Sequence, residues 1–459
     1  MRYDYSDIIL KDVKEPEHDC TGIPVQLTDE TMHQRKAAVL KKMEELGLDT
    51  LVIYADMEHG SNFEYLVGFL PRFEEALLVL HSSAKAYLVL GNENLNKAGK
   101  SRIEAEAVLA SCFSLPDQPM LNDEPFAAVI AKTGIRGKTG IAGWKNFSGK
   151  YDDRRKMFDI PAYILDAVRI YSDDVINACD LFIGADGVRT VCSPNEIARY
   201  EFAASLASDC MLDAMDVLKP GISEMEAADR LVRFGQRTSV VTIAAFGERF
   251  IKANMYPTDR KLKKADPVSL TIGYRGGLSS RAGIAVSGPQ ELPEGCRDYF
   301  EKVCAPYFTA VRAWLEQVHT GMTGGEVYAL IDEVLPKREY GWKLNPGHTT
   351  AEEEWMSSPV YEGSDEVIRS GSLFQTDIIP SVKGYPGVSA ESTCLLADEA
   401  LRKQIEKEYP DMYARMMKRR AYLADVLGIR VNEDILPMCS TLGYMRPLML
   451  SEKAAAVAK

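Results

Sequence analysis

Residues 260–286 read RKLKKADPVSLTIGYRGGLSSRAGIAV. A basic entry is followed by two apolar runs on either side of Gly276-Gly277, which predicts strand, turn and strand across Val268 to Val286. Working outward, Val240 to Phe246 reads as a strand before it, and Leu373 to Ile379 and Gly387 to Leu396 read as a second set after it. Two helix starts frame these strands. Ser223 with Glu226 and Thr323 with Glu326 each form a capping box, in which hydroxyl and carboxylate reciprocally satisfy free backbone donors. Both sit in a Gly-x-Ser/Thr-x-x-Glu arrangement, Gly221 to Glu226 and Gly321 to Glu326, one hundred positions apart (321 − 221 = 100). Either two capped helices coincide, or the domain is a pseudo-twofold structure of two helix-plus-hairpin halves. Ahead of the first half, Ser193, Pro194 and Glu196 open a long helix that runs to Leu218 and stops at Lys219-Pro-Gly221. Lys403 to Leu427 reads as a charged helix interrupted near Pro410, and the tail Ser451 to Lys459 is expected to fray.

The N-terminal part has a different rhythm. Thr28 to Gly47 has the apolar spacing of an amphipathic helix, and Leu51 to Tyr54, Ala76 to Leu80 and Ala86 to Leu90 are strand runs. Alternating helix and strand predicts an α/β domain with a parallel or mixed sheet. The expected domains are 1–175 and 190–459, with Ser172 to Cys192 as linker.

Composition narrows the function classes. The chain has 459 residues, 46% hydrophobic and 26% charged, as in ordinary globular proteins. Lys plus Arg is 54 and Asp plus Glu is 67, so the net charge of 54 − 67 = −13 argues against a nucleic-acid partner. None of the nine cysteines forms a C-x-x-C pair, which excludes the common zinc and redox signatures and fits a reducing compartment. No run approaches the roughly 18 apolar residues of a membrane span, and the N-terminus lacks a signal-peptide core. A cytoplasmic location with no membrane association is expected.

Chemistry-bearing residues cluster in the second domain: Asn254…Pro257, Asp266-x-Val268, Thr271-Ile-Gly273, Ala282, Pro346-Gly-His348, Asp377-x-x-Pro380 and Ala390-Glu391. With the repeated capping boxes and the Arg260-to-Val268 stretch, this series resembles the creatinase/aminopeptidase P/methionine aminopeptidase superfamily. The resemblance implies an α/β N-terminal creatinase-like domain followed by an α+β pseudo-twofold pita-bread domain, assembled as a homodimer. Peptidases of that superfamily hold two metal ions with Asp, Asp, His, Glu and Glu. Carried over residue by residue, those ligands fall on Thr271, Ala282, His348, Asp377 and Glu391, and a further family histidine falls on Trp355. Two adjacent cations need several carboxylates to offset their repulsion, so the loss of two acids argues against a dinuclear site.

Creatinase, which works without metal, also lacks both aspartates. Its catalytic histidine falls here on Asn254 and one substrate-binding glutamate on Ile284, while the late glutamate is kept as Glu391. Asn62-Phe-Glu-Tyr-Leu-Val-Gly68…Arg72 resembles the creatinase segment whose arginine contacts substrate. The expectation is therefore a metal-independent hydrolase of a small polar amide, amidine or amino-acid derivative, without cofactor. His348 would be the acid/base with Asp377 and Glu391, and Arg281, Arg72, Asn254 and Thr271 would bind substrate. The alternatives are an Xaa-Pro-type metallopeptidase with an altered site, one divalent ion on His348, Asp377 and Glu391 included, and a non-catalytic ligand-binding relative. The run Glu352-Glu-Glu354 is expected to be a solvated turn, with a site that favours a cationic ligand as the alternative.

Overall fold

The computed structural model describes residues 3–118 and 123–459. They form two compact units, 27–190 and 1–26 together with 191–459. The first strand, β1 (Ile8–Asp12), belongs to the second of these.

In the 27–190 unit a helix, Asp29–Glu45, is capped by the Thr28 side chain, which accepts from the Thr31 N–H. The strands are β2 (Thr50–Ala55), β3 (Ala76–His81), β4 (Ala86–Leu90), β5 (Glu106–Leu109), β6 (Lys138–Ala142) and β7 (Asp174–Asn177). They form one mixed sheet in the order β5-β4-β3-β2-β6-β7. Every residue of β2 and β3 is buried, which is why both read as unbroken apolar runs. The segment expected to be a linker is folded instead: β7 pairs in parallel with β6, so the chain leaves this unit only after Thr190.

The second unit carries the pseudo-twofold arrangement. Its first half supplies β8 (Ile243–Phe246), β9 (Pro267–Tyr274) and β10 (Gly277–Ile284), and its second half β11 (His348–Thr349), β12 (Leu373–Gln375) and β13 (Ser389–Leu396). The order is β11-β12-β13-β10-β9-β8, with β14 (Ile435–Pro437) beside β13. All these pairings are antiparallel, and β10 and β13 join the halves at the centre. Both repeated capping boxes are present, at Ser223/Glu226 and Thr323/Glu326. The charged C-terminal helix is two helices, Glu399–Glu408 and Pro410–Asp425, broken where Pro410 begins the second.

The chain's last strand, β15 (Ala454–Ala458), pairs with β1 and is largely buried, so the tail is structure rather than a frayed end. This pairing also places residues 1–26 with the second unit instead of the first.

The helix Pro194–Asp216 is buried along most of its length and explains the glycine pair in the opening stretch. Gly276 has φ +115° in the β9–β10 turn, and a Cβ there would lie 2.3 Å from Tyr200 Cδ1. A Cβ on Gly277 would lie 2.4 Å from Ala204 Cβ and 2.5 Å from its Cα. Helix and hairpin therefore touch backbone to backbone. Gly277→Val should lower unfolding stability by about 2–3 kcal/mol through this overpacking, read as a shifted urea midpoint with an unchanged slope. An unshifted midpoint would contradict the contact.

Candidate active site

Sheet register assembles the site. Thr271 on β9 lies opposite Ser280 on β10, and Ser280 lies opposite Glu391 on β13. His348 on β11 lies opposite Gln375 on β12, which lies opposite Thr393 on β13. Side chains alternate faces along a strand, so Glu391 and Thr393 share a face, and the two rows converge on it. Asp377 follows β12 two residues beyond Gln375 and reaches the same place. His348 is brought in by Gly347, whose φ of +116° suits glycine and turns the chain at Pro346, where Trp314 Nε1–H donates to the Pro346 carbonyl at 3.2 Å.

His348 Nε2 stands 3.9 Å from Asp377 Oδ2 and 3.9 Å from Glu391 Oε1. One ligand atom from each of the three residues lies within 4.8 Å of the others, and all three residues are buried. These separations are too long for hydrogen bonds. Donors bound about 2.0–2.2 Å from a shared ion lie roughly 3–4 Å apart, so the spacing suits one cation held between them. Imidazole plus two carboxylates is also a workable donor set for a divalent ion. Among the described residues no second such group of ligands is found. Where the superfamily pattern needs two more acids, the structure has Ala282 and the Thr271 hydroxyl, which shares a 2.9 Å hydrogen bond with Ser280 Oγ.

The electrostatics follow from burial. Burial, with the nearby Glu354 charge, pushes the Glu391 carboxyl up to about 8, against a smaller lowering by Arg281. Asp377 is raised well above the carboxylate range by burial and then by Glu391, with His348 opposing. Burial lowers His348, against the pull of Asp377 and the Thr349 carbonyl. Glu354 is itself raised by burial, with His348 opposing. Among the described residues no hydrogen bond reaches the side-chain carboxyl of Asp377, Glu354 or Glu391.

The other sequence candidates are placed differently. Arg281 pairs with Ala390, so its side chain leaves the sheet on the face opposite Glu391. There its buried guanidinium donates to the Ser280 and Glu391 carbonyls, both at 2.7 Å, to Ser392 Oγ at 3.1 Å and to the Thr441 carbonyl. It braces two strands and does not enter the cleft. Asn254 is exposed, and its amide bonds the Tyr256 backbone in both directions (3.1 and 3.2 Å), closing a local turn. Arg72 belongs to the 27–190 unit, where it is exposed with its guanidinium 4.4 Å from the Phe73 ring centroid.

The acidic run is not a solvated turn. Glu352 is buried and paired with Arg275 Nε at 3.1 Å and Arg199 Nε at 3.5 Å. Trp355, where the family has a histidine, stacks on His348 with centroids 4.2 Å apart and planes 18° apart. Sequence reasoning missed Ser280 as the Thr271 partner, although the period-two pattern of β10 contained it.

Comparisons with known proteins bear on the fold. Residues 198–351 match metallopeptidase family M24. A curated relative, the uncharacterized peptidase YqhT of Bacillus subtilis, is 27% identical over 230 residues, covering 48% of this chain and 62% of that protein's length. Among solved structures, the dipeptidase PepE of Mycobacterium ulcerans superposes with TM-score 0.62 at 18% identity, covering 81% of this chain and 95% of its own. A recombinant prolidase from Thermococcus sibiricus gives 0.61 at 21%, covering 82% and 96%. An Xaa-Pro dipeptidase from Bacillus anthracis gives 0.60 at 18%, covering 80% and 96%. At these identities the structural matches show a shared fold, the pita-bread fold.

A carboxyl whose folded pKa lies above its unfolded one favours folding only while it is protonated. Chelator-treated protein should therefore lose stability as pH rises from the ordinary value of 4.5 toward about 8, and regain it as pH falls. Glu391→Gln should flatten this slope and raise stability at pH 8 by about 2–3 kcal/mol. Parallel wild-type and variant melting curves across that range would refute the assignment.

Proposed function

We propose that this chain, a member of the pita-bread superfamily with a metallopeptidase family M24 domain, is a hydrolase of peptide or amide bonds that works with one divalent cation held by His348, Asp377 and Glu391. One observation carries the reading. An imidazole and two buried carboxylates converge at 3.9 Å without hydrogen-bonding each other, and the Arg281 guanidinium faces away from them. Such a group binds a cation or raises its own pKa values, and the spacing suits an ion. When bound, a divalent cation polarises a carbonyl and makes its bound water more acidic.

The chain's own residues do the rest. The Thr271–Ser280 hydroxyl pair lies on the same sheet face and offers donors and acceptors to a substrate amide. The Trp355 ring fixes the plane of His348 and shields it from water on one side. Burial holds the Glu391 carboxyl at about 8 without an ion, so binding the cation near neutral pH would release a proton from it. Because matched structures include Xaa-Pro and other dipeptidases, Xaa-Pro dipeptides are the first substrates to try.

A second reading, metal-independent hydrolysis of a small amide or amidine, draws on the same pKa directions. A neutral His348 beside a protonated Glu391 is an acid–base pair without an ion. Calorimetric titration with Mn²⁺, Co²⁺ and Zn²⁺ separates the two. One ion per chain should bind, with affinity falling about 100-fold or more in His348→Ala and Asp377→Asn, and chelation should abolish turnover. Full activity in chelator with less than 0.1 equivalent of bound metal, a rough threshold for trace occupancy, would favour the metal-independent route and sink the first.

A further inference from the structure

The two-stranded sheet of β1 and β15 leaves one edge of β1 without a partner strand. Lys459 N–H donates to the Asp7 carbonyl and Val13 N–H to the Lys453 carbonyl, both at 3.0 Å. The odd-numbered residues of β1 therefore bond toward β15, and the even-numbered ones turn their main-chain groups the other way. Ile8 N–H is taken by a bond back to the Tyr5 carbonyl. Among the described residues nothing bonds the Ile8 carbonyl or the Leu10 N–H and carbonyl. Alongside runs a groove of about 520 Å³, lined in succession by Ile8, Ile9 and Leu10 and by no residue of β15. A wall made by successive residues of both parities is the edge of a strand rather than its face, so the groove follows the unpaired side of β1. Leu292, Phe300 and Leu448 add apolar walls. Its charged residues are Arg297 and Glu301, both exposed and neither in an ion pair or side-chain hydrogen bond among the described residues.

We propose that this groove binds an extended apolar peptide with a free C-terminal carboxylate, which adds to β1 as a third strand and sets its carboxylate against Arg297. Three features support this. An apolar tail alone would fill the groove and leave the main-chain groups of Ile8 and Leu10 unpaired beside it, whereas a strand satisfies them. Leu10 offers one donor and one acceptor, the pair that a neighbouring strand exchanges. The groove has the volume of a ligand site, and its floor of buried Leu292 and Leu448 beside half-buried Ile9, Leu10 and Phe300 suits alternate apolar side chains. Arg297 supplies the complementary charge at the rim, where a guanidinium takes a carboxylate through two parallel hydrogen bonds. Glu301, four residues on, repels further acids, so the strand is apolar up to its terminal carboxylate.

None of His348, Asp377 and Glu391 lines the groove, so this assignment stands apart from the hydrolase reading. The test is calorimetric titration of the full-length protein with acetyl-Thr-Val-Thr-Ile-Val, its C-terminal amide, two forms N-methylated on alternate residues, and decanoate. Wild type should bind the free acid about tenfold or more tighter than the amide. Methylation of one alternate set should change affinity by less than about twofold and methylation of the other should abolish binding, because a strand turns only every second N–H to its neighbour. Arg297→Gln, with an unchanged melting temperature, should erase the preference for the acid. His348→Ala should bind the peptide as wild type does, which separates this groove from the cleft. No binding of the acid, equal affinity for acid and amide, equal effects of the two methylated forms, an undiminished preference in Arg297→Gln, or loss of binding in His348→Ala would each overturn the assignment. Binding of decanoate but not of the peptide would make the groove an amphiphile site and overturn it as well.

Discussion

The pairing of β10 with β13 is the interaction on which the site depends. It joins the two pseudo-equivalent halves, and its register sets Ser280 opposite Glu391 and, through β9, Thr271 in the same row. A slip of one residue would put Glu391 and Arg281 on the same face of the sheet. The structure guards against that slip with the guanidinium itself. Arg281 donates to the carbonyls of Ser280 and Glu391, one on each strand, and to Ser392 and Thr441 beyond them. A fully buried cation with no carboxylate in hydrogen-bond contact carries a large desolvation penalty, seen here as a pKa pushed below the ordinary arginine value. Its position behind the strand that carries Glu391 is what that penalty secures.

The electrostatics of the cleft are the reverse of those behind the sheet. Burial is the leading cause that raises Asp377, Glu354 and Glu391; Glu391 and Glu354 raise Asp377 further, and Glu354 raises Glu391. An arrangement of this kind destabilises the empty protein, and proteins keep such strain where a ligand relieves it. The dinuclear peptidase pattern needs two further acids on the β9–β10 hairpin. Thr271 and Ala282 remove that charge from rigid strands, and the Thr271–Ser280 hydroxyl pair leaves a neutral, polar wall in its place.

Local signals were legible in the sequence and long-range ones were not. All three capping boxes and the β9–β10 hairpin are written in contiguous residues, and the structure has them where the pattern put them. His348, Asp377 and Glu391 were singled out through the resemblance, and they lie together in the structure. Three expectations failed because they depend on partners far along the chain. The tail pairs with β1 more than four hundred residues away, β7 completes a sheet begun at β2, and Glu352 is neutralised by arginines on another helix and hairpin. Arg281 is a different kind of miss. Strand parity alone places it opposite Thr271 across the sheet plane, since Thr271 pairs with Ser280 and neighbours alternate.

Glu354 stands on a loop, whereas Thr271 and Ala282, the positions of the two further acids in the dinuclear pattern, stand on strands. On a strand, a carboxylate is fixed by the ladder to within the tolerance of the sheet, as a bridging ligand between two ions requires. On the Thr350–Met356 loop, Glu354 is held by the Thr349–Ser357 bridge and the buried Glu352, and no ladder hydrogen bond passes through it. Trp355 in turn stacks on His348. The indole occupies the position of a family histidine, takes away one proton carrier and supplies an aromatic face next to Glu354.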